Sequence, residues 1–174
     1  MTPLTSKVCV VGDFAVGKTS VVERFVTNQF SEKYLSTVGV KIDTKEVDFP
    51  ALGLTHKLVI WDVAGSEEFG RREMAYLRGA SGYIYVADGT RSATLKAVER
   101  LHSQVSEAYG SIPSVLLVNK RDLQSDWEVS DERFDTLATN YNDAYRTSAK
   151  TGDDVDQAIT RLAELIIDND IRGA

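Results

Sequence analysis

At 174 residues the chain has the length of one domain, at about 150 residues per domain, and with 43% apolar residues it can supply a full core. Lys and Arg number 20 against 26 Asp and Glu, a net charge of −6, which excludes a sequence-independent nucleic-acid binder, because that needs clustered cations to displace counterions. The single cysteine, Cys9, excludes a disulfide framework or a cysteine zinc site, and no apolar stretch approaches the ~18 residues of a membrane span. The Met-Thr-Pro-Leu-Thr start has no signal-peptide apolar region. The expectation is a cytoplasmic protein of one domain, residues 1–174, with its core in 5–170.

In chain order, Lys7–Val11 (KVCVV) is the first of four short apolar runs; Leu58–Val63, Tyr83–Ala87 and Val115–Val118 are the others. Continuous rather than alternating apolarity predicts parallel strands covered on both faces. Immediately after the first run, Gly12-Asp-Phe-Ala-Val-Gly17-Lys18-Thr19 matches G-x-x-x-x-G-K-[ST], and helical spacing follows in Val21, Val22, Phe25 and Val26. Two glycines allow a tight turn whose N–H groups face a ligand, and the helix N-terminus favours phosphate. Lys18 can neutralise β/γ oxygens and the Thr19 hydroxyl can ligate Mg²⁺. This loop binds phosphate, but nucleotide kinases, ATPases and GTPases all use it.

Phe30 can lie against a base or belong to the core. Thr37, in a polar connector, can offer its hydroxyl to the metal or be a solvated loop threonine. Val38–Phe49 partly alternates and Pro50-Ala-Leu-Gly53 reads as a turn, predicting a hairpin that adds one antiparallel edge strand to the sheet. The second arm ends in Asp62-Val-Ala-Gly65, where Asp62 can hold Mg²⁺ through water and the Gly65 N–H can contact a γ-phosphate oxygen. Asp88-Gly-Thr90 ends the third run, and Leu95, Val98, Leu101, Val105 and Ala108 step at helical spacing.

Asn119-Lys120-Arg-Asp122 follows the fourth run, and Ser148-Ala149-Lys150 follows a short strand near Tyr145. A carboxylate at Asp122 can accept both the N1–H and the 2-amino group of guanine, whereas adenine would leave it unpaired. Asn119 can tie the two loops together, the Lys120 stem can cover the base, and the Ala149 N–H can meet O6. A further helix runs through Phe134, Leu137, Ala138 and Tyr141 with Ser130 as N-cap. The last carries Val155, Ile159, Leu162 and Ile166. Strands alternating with helices give an α/β fold. His56 and His102 have no ligand spacing around them and read as surface residues, and Cys9 reads as buried packing.

Taken together, the motifs resemble the Ras superfamily of small GTPases over nearly the whole chain and in the right order. Ser36-Thr-Val-Gly-Val40, Trp61-Asp-Val-Ala-Gly65 and Tyr76-Leu-Arg-Gly79 are most similar to Rab proteins. The resemblance implies a six-stranded sheet, five strands parallel and one antiparallel at the edge, flanked by five helices. It implies a switch that binds GTP and GDP with Mg²⁺, hydrolyses GTP slowly, and rearranges about Phe30–Gly39 and Gly65–Tyr76. Asp13, Phe14, Ala15, Val16, Gly17, Lys18, Thr19, Ser20, Thr37 and Gly65 would meet the phosphates; Phe30, Asn119, Lys120, Asp122, Ser148, Ala149 and Lys150 would surround guanosine. Thr19, Thr37 and, through water, Asp62 would hold the metal, while Lys18, Thr37, Gly65 and the residue at position 66 would serve hydrolysis. Ile42, Trp61 and Tyr76 would form an apolar effector patch, with core packing as the alternative for the two aromatics. Effectors, exchange factors and GTPase-activating proteins would be the partners of a monomer.

Three positions depart from the family. Phe14 stands where relatives carry a small residue, and its ring would crowd a γ-phosphate. Ser66 stands in place of the glutamine that orients the attacking water, with Glu67 the nearest substitute. The chain stops at Ile171-Arg-Gly-Ala174 without a cysteine for prenylation, so no lipid anchor is expected within it; a chain cut short and an anchorless protein of the kind that occurs in bacteria both stay open. Two functions compete: a slow GTPase switch, and a binding module that stays loaded without useful turnover. A nucleotide kinase would leave Asn119 and Asp122 without a role.

Overall fold

The computed structural model describes residues 2–31, 37, 39–65 and 70–173. Six strands, β1 (Thr2–Val11), β2 (Val40–Phe49), β3 (Leu54–Val63), β4 (Gly82–Asp88), β5 (Ser114–Asn119) and β6 (Asp143–Arg146), form one sheet in the order β2-β3-β1-β4-β5-β6. Only β2 runs antiparallel, paired with β3 from Val40↔Val63 to Phe49↔Leu54; the other pairings are parallel. Five α-helices stand among the described residues: α1 (Lys18–Thr27), α2 (Arg71–Tyr76), α3 (Ser92–Tyr109), α4 (Asp131–Ala138) and α5 (Val155–Gly173).

The continuous apolar runs feed two cores, because successive strand side chains point to opposite faces. Val8, Val10, Ile84, Val86, Val115 and Leu117 pack with α1 and α5 through Val22, Phe25, Ile159 and Leu162. Their neighbours Cys9, Val11, Tyr83, Tyr85, Leu116 and Val118 pack with α3 and α4 through Leu95, Val98, Phe134 and Leu137. Burial pushes the Cys9 thiol up to about 12, which makes it inert packing. The hairpin turns through Pro50–Leu52 and Gly53, whose φ of 61° suits glycine. Ser130 caps α4, accepting the Arg133 N–H at 3.0 Å.

Three expectations change. β1 begins at Thr2 rather than Lys7, because its polar first half pairs with β3 from Thr2↔Leu54 onward; backbone pairing does not require apolar side chains. His56 is not a surface residue: it is fully buried, with Nε2 2.8 Å from the Ser6 hydroxyl and the Ala163 backbone of α5 beside it. His102 is half-buried, its ring 4.6 Å from Tyr141 and edge-on to Tyr85 at 5.1 Å.

Candidate nucleotide site

The carboxyl ends of β1, β3 and β5 and the loop after β6 converge on a cavity of about 310 Å³. Open α/β sheets bind ligands at this edge. The loop from Gly12 to Gly17 passes across its floor. At Gly12 an added Cβ would lie 2.2 Å from the Val86 carbonyl oxygen, and Gly17 starts α1 at φ 101° with no room beside the Asn119 amide. The third close approach is Gly65, where a Cβ would lie 2.7 Å from the Phe14 nitrogen and the Lys18 ammonium.

Each carbonyl from Asp13 to Gly17 is held by a donor. Lys18 Nζ donates to Asp13 O at 2.8 Å, Arg91 Nη2 to Phe14 O at 2.8 Å, Lys120 Nζ to Ala15 O at 3.2 Å and Asn119 Nδ2 to Val16 O at 3.1 Å. The Val21 N–H of α1 takes Gly17 O at 2.9 Å. In a planar trans peptide the C=O and the next N–H point in opposite directions, so tying down the carbonyls fixes where the loop's N–H groups aim. Such oriented amides make an anion cradle, although the Phe14 N–H is itself given to the Asp13 carboxylate at 2.7 Å. Lys18 is 6% exposed, and burial, offset in part by Asp62 and Asp13, lowers its ammonium to about 8. A buried cation beside oriented amides suits a polyanion.

Thr19 Oγ1 lies 2.5 Å from Thr37 Oγ1 and donates to Asp62 Oδ2 at 2.6 Å. Asp62 is fully buried and its Oδ1 has no hydrogen-bond partner among the described residues; burial raises its carboxyl above the usual range. Three hard oxygens, one on a buried carboxylate with an unsatisfied atom, fit Mg²⁺.

Beyond the phosphate loop, Asn119 is 2% exposed and joins the two distal loops: its Oδ1 accepts from Thr147 Oγ1 and from Ala149 N, both at 3.2 Å. The Ala149 N–H, expected to meet O6 of a base, is thus given to Asn119. Asp122 lines the cavity and its Oδ1 accepts the Ser148 hydroxyl at 2.8 Å. Arg24 of α1 holds the carbonyls of Ala149 and Lys150 at 2.8 and 2.6 Å. Phe30 packs on the core and also lines the cavity.

Phe14, Ala15, Gly17, Lys18, Thr19, Ser20, Thr37, Gly65, Asn119, Lys120, Asp122, Ala149 and Lys150 all line the cavity. Asp13, Val16, Asp62 and Ser148 stand one bond behind it, and Ser66 lies outside the described residues. Sequence reasoning missed Ser31 and Leu123 in the lining, and it missed the group behind Lys120. There Asp88, 1% exposed, accepts from Lys120 Nζ at 2.9 Å, Arg91 Nε at 3.0 Å and Thr90 N at 2.9 Å. Burial raises the Asp88 carboxyl, but these hydrogen bonds, led by Lys120, outweigh it and hold the group below the usual carboxylate range. The Trp127 indole donates to Lys120 O at 2.8 Å. The D-G-T turn after β4 is the local signal that could have flagged Asp88.

On the far side of β3, Ile42 pairs with Trp61 across the strands and the Trp61 ring lies 6.4 Å from Tyr76. Ile42 is 49% exposed, while both aromatics are half-buried against the second core.

Comparison with known proteins agrees with this geometry. The Ras family profile matches residues 7–168. The chain is similar to human Ras-related protein Rab-32 at 37% identity over 170 residues, covering 94% of this chain and 75% of the relative. Bovine Ras-related protein Rab-13 matches at 35% over 163 residues, 92% of this chain and 79% of the relative. Rab-32C of Dictyostelium discoideum matches at 31% over 170 residues, 95% and 75% respectively.

Proposed function

The chain belongs to the Rab branch of the Ras family of GTP-binding switches and GTPases, and from that premise we propose how its own residues carry the cycle. Residues 1–174 act as one monomeric G domain in the cytoplasm. The loop amides held by Lys18, Arg91, Lys120 and Asn119 bind the phosphates, with Lys18 and Gly65 placed for the γ-phosphate end. Asp122 accepts the N1–H and 2-amino group of guanine, steadied by Ser148, while Phe30 and the Lys120 stem flank the base. The observation that supports this most strongly is the set of four carbonyls turned aside by side-chain donors.

Thr19, Thr37 and, through water, Asp62 would hold Mg²⁺, whose chemistry is to neutralise charge on the phosphate oxygens. Thr37 also belongs to a segment whose grip on the nucleotide differs between GTP and GDP states, and the contacts of Thr37 and Gly65 bias that order–disorder switch. The surface of Ile42, Trp61 and Tyr76 reads out the state to effectors; exchange factors and GTPase-activating proteins act on the same segments.

Hydrolysis is slow in this reading. Family members unaided turn over at roughly 10⁻⁴ to 10⁻³ per second; Ser66 is too short to orient water as a glutamine does. Phe14, 48% exposed at the loop, favours with Ser66 the second reading, a module that stays loaded and signals by occupancy. The test is to identify the nucleotide released from the purified protein and to compare purine preference in Asp122→Asn. Guanine nucleotide and a collapsed preference are expected. Unchanged preference in the variant, or no affinity for guanine nucleotides with magnesium present, refutes the assignment.

A further inference from the structure

We propose that Arg91 is a positioning residue for nucleotide retention, aiming the phosphate loop from the turn that follows β4. The inference rests on the nucleotide reading of the cavity. Arg91 is 77 residues from Phe14 in sequence, yet its Nη2 donates to the Phe14 carbonyl at 2.8 Å. Its Nε is committed to Asp88 Oδ2 at 3.0 Å. That carboxylate is buried and also accepts Lys120 Nζ, which in turn donates to Ala15 O. One guanidinium therefore fixes two adjacent peptides of the loop, one directly and one through Asp88 and Lys120.

The direct contact has a stereochemical consequence. With Phe14 O drawn to Arg91, the Ala15 N–H on the other side of the same trans peptide points away from Arg91, and Ala15 lines the cavity. Ala15 holds φ at 60°, a left-handed value disfavoured for a residue with a Cβ. A charge-assisted bond on the preceding carbonyl is what opposes relaxation of that peptide. The planar fork suits this task, because its two arms reach Asp88 and Phe14 together; a lysine can satisfy one at a time. The Arg91 side chain is 42% exposed, so it acts on the loop from the rim and its removal leaves no buried hole.

The experiment follows release of a fluorescent GDP analogue from the full chain, wild type beside Arg91→Ala and Arg91→Lys, with affinities for GDP and GMP measured alongside. Loss of one charge-assisted bond predicts release about tenfold faster in Arg91→Ala, with Arg91→Lys intermediate. GDP affinity falls more than GMP affinity, because the loop amides cradle the β-phosphate as well as the α. Unchanged release in both variants overturns the proposal. So does an equal loss for GDP and GMP, or a fall in melting temperature without faster release, since either marks a merely structural role. If Arg91→Ala does not fold, Arg91→Lys carries the same comparison. Wild-type protein that binds neither nucleotide fails the site assignment itself, and the proposal falls with it.

Discussion

Replacing Asn119 by alanine removes three contacts at once: Nδ2 to Val16 O at 3.1 Å, and Thr147 Oγ1 and Ala149 N to Oδ1 at 3.2 Å each. Val16 is fully buried, so its freed carbonyl gains no ready water, while the Ala149 N–H loses a partner at the cavity wall. At ~1 kcal/mol per hydrogen bond, with unsatisfied buried groups adding to it, the loss is about 3 kcal/mol. That corresponds to a fall in melting temperature of roughly 6–12 °C for a chain of this length. The measurement is urea and thermal unfolding of nucleotide-free protein, which keeps weakened ligand binding from inflating the number. Asp122→Asn is the control: its side chain is on an exposed residue with the Ser148 contact at 2.8 Å, and it is expected to change base preference with little effect on stability. A loss below about 1 kcal/mol in Asn119→Ala refutes the idea that this side chain welds the two loops.

Burial lowers the His56 and His102 imidazoles, so the unfolded chain takes up protons near pH 6.5 that the folded chain refuses. Stability is full above that pH and falls below it; His56→Asn flattens the decline in urea midpoint between pH 7 and pH 5.5, and an unchanged slope refutes it. Gly89→Ala sets a Cβ 2.1 Å from Trp127 Cε2, so the indole must shift from Lys120 O. A loss of about 1–3 kcal/mol and an altered Trp127 emission in a Trp61→Phe background are expected. Ser66→Gln restores the usual water-orienting side chain, and single-turnover phosphate release should rise severalfold; an unchanged rate would show that Phe14 or another group limits the step.

The parts of the site that depend on local chain order were legible. A glycine loop between strand and helix, and an N-K-x-D after a strand, must be contiguous because each needs successive backbone groups at one point. Arg91, Asp88 and Trp127 were not legible as a group, since their meeting is a product of tertiary packing over separations such as Arg91 to Phe14. His56 was misplaced for a related reason: flanked by Thr55 and Lys57, it lacks an apolar run, yet its strand position faces α5. The strand cores were readable because uninterrupted apolarity has one explanation when helices cover both sides. The polar half of β1 has no such signature, its pairing being a matter of backbone alone.

The burial of Lys18 makes the ligand a part of the protein's interior. An ammonium lodged in the cavity wall, with the Asp13 carbonyl as its partner, is stabilised further when a polyanion arrives, so the loaded molecule lies below the empty one. Occupancy and endurance are then a single quantity, with each tenfold rise in free nucleotide above its dissociation constant adding about 1.4 kcal/mol against unfolding. Depleted of guanine nucleotide, the chain would keep only its own narrower margin against unfolding.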